Sequence, residues 1–266
     1  MILLIGASGY IGSAFAREME RRSLDWAAVK HGDCHQGMSI SNKVRLVINC
    51  AAFIPKESVA LCDKHPFETI HGNFLFPEML SLVCMKHHVT FAHISTGCLW
   101  NDGEGHFEED PPQRYFTGHC GFYIGTKVLA ERVVQQNPRS YIWRVRLPFD
   151  EFDNERNYLS KLARYDEIWD CSNTIAHRAD FAKACLDLWK IEAPYGIYHV
   201  MNPGTIKASC LADELFSRGI RKTPARIVPS LTGNCPVSVR KALKLGVKIR
   251  PVEEAITESL NHWTIQ

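Results

Sequence analysis

The chain opens on five apolar residues, Met1 to Ile5, and the run stops abruptly at Gly6. Continuous rather than alternating apolar character marks a strand covered on both faces, as in a parallel sheet packed between helices. Behind it Ile11, Phe15 and Met19 recur at i, i+4 and i+8 and share one helical face, while Arg17, Arg21 and Arg22 gather toward the C-terminal end, where cations oppose the helix dipole. Further apolar strands are predicted at Trp26–Val29, Leu46–Cys50, Val89–Ile94, Tyr141–Val145 and Ile197–Met201, with helical periodicity between most of them. This alternation predicts an α/β fold built on a doubly wound parallel sheet.

From Pro148 the pattern turns irregular through Asp150-Glu151-Phe152-Asp153-Asn154-Glu155, and helical periodicity returns near Leu159–Tyr165. A helix at about Arg178–Lys190 and the strand at Ile197 lead back to the sheet. The expected division is a sheet domain of residues 1–147 and about 172–202, with a smaller C-terminal lobe made from about 148–171 and 203–266.

Composition narrows the partners. The 266 residues suffice for one sizeable core, and a formal net charge of +2, scattered along the chain, argues against a nucleic-acid or membrane surface and for small molecules. No apolar run approaches the roughly 18 residues of a membrane span, and Met1–Ile5 is too short for a signal peptide, so a cytoplasmic location is expected. The ten cysteines contain no C-x-x-C pair and the histidines, His87-His88 included, show no ligand spacing; reduced thiols and no metal are expected.

Gly6-Ala7-Ser8-Gly9-Tyr10-Ile11-Gly12 spells G-x-x-G-x-x-G at the junction of the first strand and helix. Glycines there permit a tight turn and close backbone approach to a pyrophosphate, and the helix N-terminus favours its charge. The expectation is a Rossmann domain whose cofactor site includes Gly6, Ser8, Gly9, Tyr10, Ile11 and Gly12, with Ala51 and Ala52 beyond the third strand. The second strand ends at Lys30-His31, where a 2′-phosphate calls for positive charge and a free 2′-hydroxyl for an acid. Lys30 favours NADP(H); the nearby Asp33 keeps NAD(H) open.

Tyr123-Ile124-Gly125-Thr126-Lys127 places a phenol and an ammonium at i and i+4 on one helical face. A neighbouring cation is expected to lower the phenol toward working pH, letting it pass a proton to a carbonyl oxygen. Thr96, at the end of an apolar strand, supplies a hydroxyl for the same oxygen. Glycine fingerprint, strand-end hydroxyl and Y-x-x-x-K in this order resemble the extended short-chain dehydrogenase/reductases. That resemblance implies a catalytic triad of Thr96, Tyr123 and Lys127, the last two also touching cofactor.

A closer resemblance follows from Ser95-Thr96-Gly97-Cys98-Leu99, Phe107-Glu108-Glu109-Asp110, Phe116-Thr117-Gly118, Arg144-Val145-Arg146-Leu147-Pro148 and the run Arg156 to Tyr165. These segments are similar to the plant bifunctional 3,5-epimerase/4-reductases of UDP-rhamnose synthesis, from the first glycines to about residue 205. By that resemblance, and that to GDP-fucose synthases, Cys98 and Lys161 form an epimerising acid/base pair, and the substrate is a nucleotide-linked 4-keto-6-deoxyhexose. The same resemblance makes a homodimer a common expectation. Thr96, Cys98, Asn157, Arg144 and Arg146 are the expected substrate contacts, although the two arginines also suit ion pairs within the sheet. Asn73 suits either a cofactor-side contact or a helix cap. The segment between Leu99 and Phe107 is shorter than in the plant enzymes and Phe149–Glu155 differs. A reductase alone, of dTDP-4-dehydrorhamnose type, and a non-catalytic nucleotide-binding subunit remain the alternatives.

Overall fold

Leu46, Val47, Ile48 and Asn49 are all buried, as a strand covered on both faces requires. Leu46 and Ile48 pack into a cluster with Phe15, Trp143 and Phe181, whereas Val47 enters a second cluster with Phe76, Leu80 and Phe91. Two apolar layers, one on each face of the sheet, thus make up most of its core. The computed structural model describes residues 1–56, 58–230 and 233–264.

In chain order the first half runs β1 (Ile2–Ile5), α1 (Gly12–Arg21), β2 (Trp26–Val29), β3 (Leu46–Asn49), α2 (Pro66–Ile70), α3 (Phe76–Lys86), β4 (Thr90–Thr96), α4 (Gly121–Val134) and β5 (Ser140–Val145). There follow β6 (Pro148–Phe149), α5 (Tyr158–Arg164), β7 (Glu167–Asp170), β8 (Ser172–Asn173), β9 (Ala176–His177), α6 (Arg178–Lys190) and β10 (Gly196–His199). The chain then forms β11 (Ile206–Lys207), α7 (Ala208–Ser217), β12 (Arg226–Pro229), α8 (Arg240–Lys244) and α9 (Val252–Asn261). No helix among the described residues is long and apolar enough to cross a membrane.

Six parallel strands form one sheet in the order β10-β5-β4-β3-β1-β2. The chain moves from β1 outward to β2 and then crosses back to β3 on the other side of β1. That reversal opens a crevice at the carboxyl ends of β1 and β3, where ligands of such sheets bind. β4 reaches two residues further than its apolar run predicts, because Ser95 and Thr96 pair with Arg144 and Val145 of β5.

The lobe has its own apolar cluster of Phe149, Leu159, Leu162, Ile168, Leu211 and Ile256, around the parallel pair β7 and β12. One part of the C-terminal region lies elsewhere than the predicted division puts it. Ala242 of α8 and the following Val247 pack in the sheet cluster, α8 lying against β10, because their apolar side chains complete that layer.

The sheet is tied to α4 by a buried ion pair. Arg144 of β5 donates through Nε and Nη2 to the two carboxylate oxygens of Glu131, at 3.0 and 2.7 Å, and both residues are almost wholly enclosed. Removing one partner strands the other charge in a low dielectric, so Glu131→Ala is expected to cost about 3–5 kcal/mol. Urea denaturation against the native chain checks this; a loss within experimental error would mean that solvent reaches Arg144.

Candidate active site

At the β1 to α1 turn Gly6 takes φ +78°, and a Cβ on it would lie 2.8 Å from the Ala51 amide. A Cβ on Gly12 would collide with the Gly6 carbonyl. The turn therefore lies directly against the end of β3, and the crevice between them is a groove of about 600 Å³. Gly6, Ser8, Gly9, Ala51 and Ala52 line it, together with His31. Lys30 is exposed and does not line the groove, while His31 stacks on Phe76 at 4.0 Å. Asn73 caps no helix: it sits in a π turn between α2 and α3, where its side chain accepts from Phe53 N at 2.7 Å and donates to Phe53 O at 2.9 Å. It fixes the chain just beyond Ala52.

Tyr10 turns away from the groove. Its hydroxyl donates to Asp150 Oδ1 at 3.0 Å, and the Arg178 guanidinium lies 4.3 Å over its ring. Arg178 closes the cluster through Asp150 at 2.5 Å and the Tyr10 carbonyl at 2.7 Å. Burial, then the Asp150 carboxylate, push the Tyr10 phenol well up. Tyr10 joins the glycine turn to the first loop of the lobe, a structural duty where a cofactor contact was expected. Ile11 serves as the N-cap position of α1, with a hydrophobic side chain packed against the sheet core.

Thr96 ends β4, and its Oγ1 accepts from the Cys98 amide at 3.2 Å. Burial pushes the Tyr123 phenol of α4 up, with Cys98 adding to the rise and the Thr96 hydroxyl opposing it. The expected depression of Tyr123 by Lys127 is not what this geometry produces. Lys127 Nζ points instead into the protein, donating to Ile94 O at 2.6 Å and facing His93 Nε2 at 3.0 Å. Burial pushes its ammonium down to about 8, against the opposing effects of Glu131 and Cys50.

On the lobe side Tyr123 opens on a second cavity, of about 470 Å³, shared with Cys98, Arg146, Arg114, His119 and Tyr158. Arg146 is buried here; its Nη2 donates to Asn173 Oδ1 at 2.6 Å, and its Nε has no partner. Three expected contacts are placed elsewhere. Arg144 does not line the cavity, since Glu131, the Glu108 carbonyl and His199 take up its guanidinium. Asn157 caps α5, accepting from Leu159 N at 2.9 Å and donating to Asp150 and to the Phe152 carbonyl, which takes up both of its N–H donors. Lys161 lines a separate depression of about 310 Å³ with Lys56, Glu155, Arg164 and Tyr165. Tyr165 is shared with the Cys98 cavity, so the two spaces adjoin, but Cys98 and Lys161 do not line the same one. Among the described residues no group of histidine, cysteine and acid side chains is arranged to hold a metal ion.

The whole chain, residues 1–266, matches the RmlD substrate binding domain. It belongs to that family. Over 218 residues it is 28% identical to the bifunctional dTDP-4-dehydrorhamnose 3,5-epimerase/dTDP-4-dehydrorhamnose reductase of Arabidopsis thaliana, covering 77% of this chain and 70% of the relative. It is 27% identical to a trifunctional UDP-glucose 4,6-dehydratase/UDP-4-keto-6-deoxy-D-glucose 3,5-epimerase/UDP-4-keto-L-rhamnose-reductase of the same plant, and there the match spans 32% of the relative's length. The fold is shared with a dTDP-4-dehydrorhamnose reductase of Bacillus anthracis solved in complex with NADP, at TM-score 0.77 and 18% identity over 98% of this chain and 96% of that one.

In this member of the RmlD family, sequence reasoning missed His119, Arg114, Tyr158 and Trp169 as cavity residues. His119 carried a usable signal, four residues ahead of Tyr123. Its placement depends on the left-handed backbone at Cys120 (φ 60°), which turns the loop into α4. Its ring meets Trp169 edge to face at 5.0 Å, and burial followed by Arg114 pushes its imidazolium down. The glycine turn yields a test. Gly6→Ala is expected to cost about 1–3 kcal/mol of stability in strained backbone and, by driving Ala51 outward, to weaken NADP binding roughly tenfold or more. Thermal melts and calorimetric titration with NADP check both, and unchanged affinity would remove the turn from the cofactor site.

Proposed function

We propose that the protein is an NADPH-dependent reductase of a nucleotide-linked 4-keto-6-deoxyhexose, yielding a 6-deoxy sugar of the rhamnose type. One observation carries this: Tyr123 of α4 lines the cavity that also holds Cys98 and Arg146, while Lys127 of the same helix bears on Cys50, which lines the glycine-turn groove. The groove fits a dinucleotide, because the Gly6 turn leaves no room for a Cβ and the N-terminus of α1 follows it. Gly6, Ser8, Gly9, Ala51 and Ala52 would hold the cofactor, with His31 nearest the place where Lys30 was expected to act. When bound, the reduced nicotinamide supplies the hydride. NADP is favoured over NAD by the basic pair Lys30-His31 just past β2, of which His31 lines the groove.

In this reading Tyr123 delivers the proton to the carbonyl oxygen at C4, and Thr96 orients that oxygen by a second hydrogen bond. The high resting pKa of Tyr123 suits a group that must arrive protonated. Arg146, buried and with an unpartnered Nε, suits an anionic or oxygen-rich substrate. Epimerisation at C3 and C5 is the finer form of the proposal. Cys98 lines the same cavity as Tyr123, which supports it; Lys161 opens on the neighbouring depression, and His119 is the titratable nitrogen base beside Cys98's own cavity.

The test incubates the protein with UDP-4-keto-6-deoxyglucose in heavy water, with and without NADPH, following cofactor absorbance and deuterium uptake together. NADPH oxidation is expected, falling about 10²–10⁴-fold in Tyr123→Phe, with deuterium entering C3 and C5 and that exchange lost in Cys98→Ala. Oxidation without exchange would leave a reductase alone and a separate epimerase upstream; neither signal, on the UDP or the dTDP sugar, would turn the proposal toward a binding subunit.

A further inference from the structure

Beneath the Tyr123 site four polar groups follow one another through the core. Asn49, at the end of β3, accepts from the Ala51 amide through Oδ1 at 3.0 Å and presents Nδ2 to His93 Nδ1 at 3.2 Å. His93 Nε2 faces Lys127 Nζ at 3.0 Å, and Nζ donates to the Ile94 carbonyl at 2.6 Å. Asn49 and His93 are fully buried and Lys127 is 2% exposed.

The direction of every bond in this chain follows from one fixed donor. The Ala51 backbone N–H can only donate, so it requires the oxygen of the Asn49 amide, and the Asn49 NH₂ must then turn toward His93. That NH₂ also only donates. His93 Nδ1 is therefore an acceptor, and a neutral ring carries its proton on Nε2. Nε2–H points at Lys127, where an ammonium offers no lone pair but an uncharged amine does. The amine accepts from His93 and donates to Ile94 O, and each group is satisfied. With Lys127 charged, two donors would oppose each other at one end or the other of the buried imidazole.

We propose that Asn49 and His93 are a positioning pair that fixes the imidazole tautomer and so favours the neutral amine of Lys127, making it a titrating group of the site rather than a fixed cation. The inference rests on the reading of Tyr123 and Lys127 as the reductive centre. The surroundings agree. Burial is the leading cause of the depressed pKa values of both Lys127 and His93. The other titratable groups that bear on Lys127 are Glu131, one turn further along α4, and Cys50 beyond β3. Glu131 is already bidentate to Arg144 of β5, and burial pushes the Cys50 thiol up, so Cys50 stays uncharged. Neither offers Lys127 an unpaired negative partner.

The pair makes opposite demands in two isosteric or near-isosteric variants. Asn49→Asp keeps one oxygen for Ala51 N–H and turns the other toward His93; Nδ1 must then donate, leaving Nε2 free to accept from an ammonium. His93→Gln offers Lys127 a carbonyl directly. The full chain, labelled with ¹³C at lysine Cε, is titrated by NMR, and Lys127→Arg identifies the signal. A Lys127 midpoint near 8 in the native chain, rising by about one unit or more toward the ordinary lysine value in either variant that folds, is the expected result. The inflection in the pH profile of kcat/KM should move with it, whereas a merely structural lesion lowers the rate at every pH without moving the inflection. A native midpoint at the ordinary lysine value, or one that stays put in both variants, would overturn the inference. Because the NMR midpoint needs no substrate, a shifted midpoint alongside an inactive native enzyme would count against the proposed reaction and not against the pair.

Discussion

A sheet whose two faces are both buried can meet a ligand only along an edge, and in a parallel sheet the carboxyl edge collects the end of every strand. Here that constraint brings together residues far apart in sequence: Gly6 from β1, Asn49 to Ala52 from β3, Thr96 and Cys98 from β4, and Arg146 from β5. The groove appears between β1 and β3 because the strand order reverses there, and its floor is backbone because Gly6 lies against Ala51 with no room for a side chain between them. The lobe is then held over this edge by a charged cluster, in which Tyr10 and Arg178 reach Asp150 from the two sides of the first turn. A glycine turn, a tyrosine and an arginine separated by 168 positions thus act as one joint.

What the sequence could express as periodicity it expressed well. The continuously apolar strands, the stripe of Ile11, Phe15 and Met19, and the helix at Arg178–Lys190 are local patterns, and burial on two faces leaves few ways to satisfy them. The glycine turn was legible for the same reason, since spacing alone carries its geometry. The extent of β4 was not, because Ser95 and Thr96 enter the strand by pairing with β5, and cross-strand pairing leaves no trace in a run of hydrophobicity. Ala242 and Val247 are a similar case: their apolar character announces burial without saying in which of the two clusters.

Side-chain direction was the larger loss. Lys161 sits between Leu159 and Leu162, which the lobe core claims, so the helix face left to it opens on a different depression from that of Cys98. His119 enters the cavity through a backbone turn at Cys120, a left-handed conformation that a cysteine adopts at some cost and that no motif announces. Lys127 shows a different limit. Its spacing from Tyr123 was plain, yet its protonation is governed by His93 and Asn49, two residues on other strands whose hydrogen-bonding sense depends on a backbone amide at Ala51.

Arg144 and Arg146 show how little residue type alone decides. They stand two positions apart at the end of β5, equally buried and carrying the same charge. Arg144 lies within the strand, where α4 supplies Glu131, the segment after β4 the Glu108 carbonyl and β10 His199 for its donors. Arg146 follows the last paired residue, just before the backbone leaves the sheet through a left-handed Leu147, and the structure offers it Asn173 but leaves Nε unmet. A buried cation whose donors are all taken by the protein stabilises the fold and has nothing left for a ligand. One left incomplete on a cavity wall carries a desolvation cost that an incoming oxygen would offset. On that ground Arg146 is the one of the two proposed to meet the substrate's charged or hydroxylated part, while Arg144 is committed to the fold.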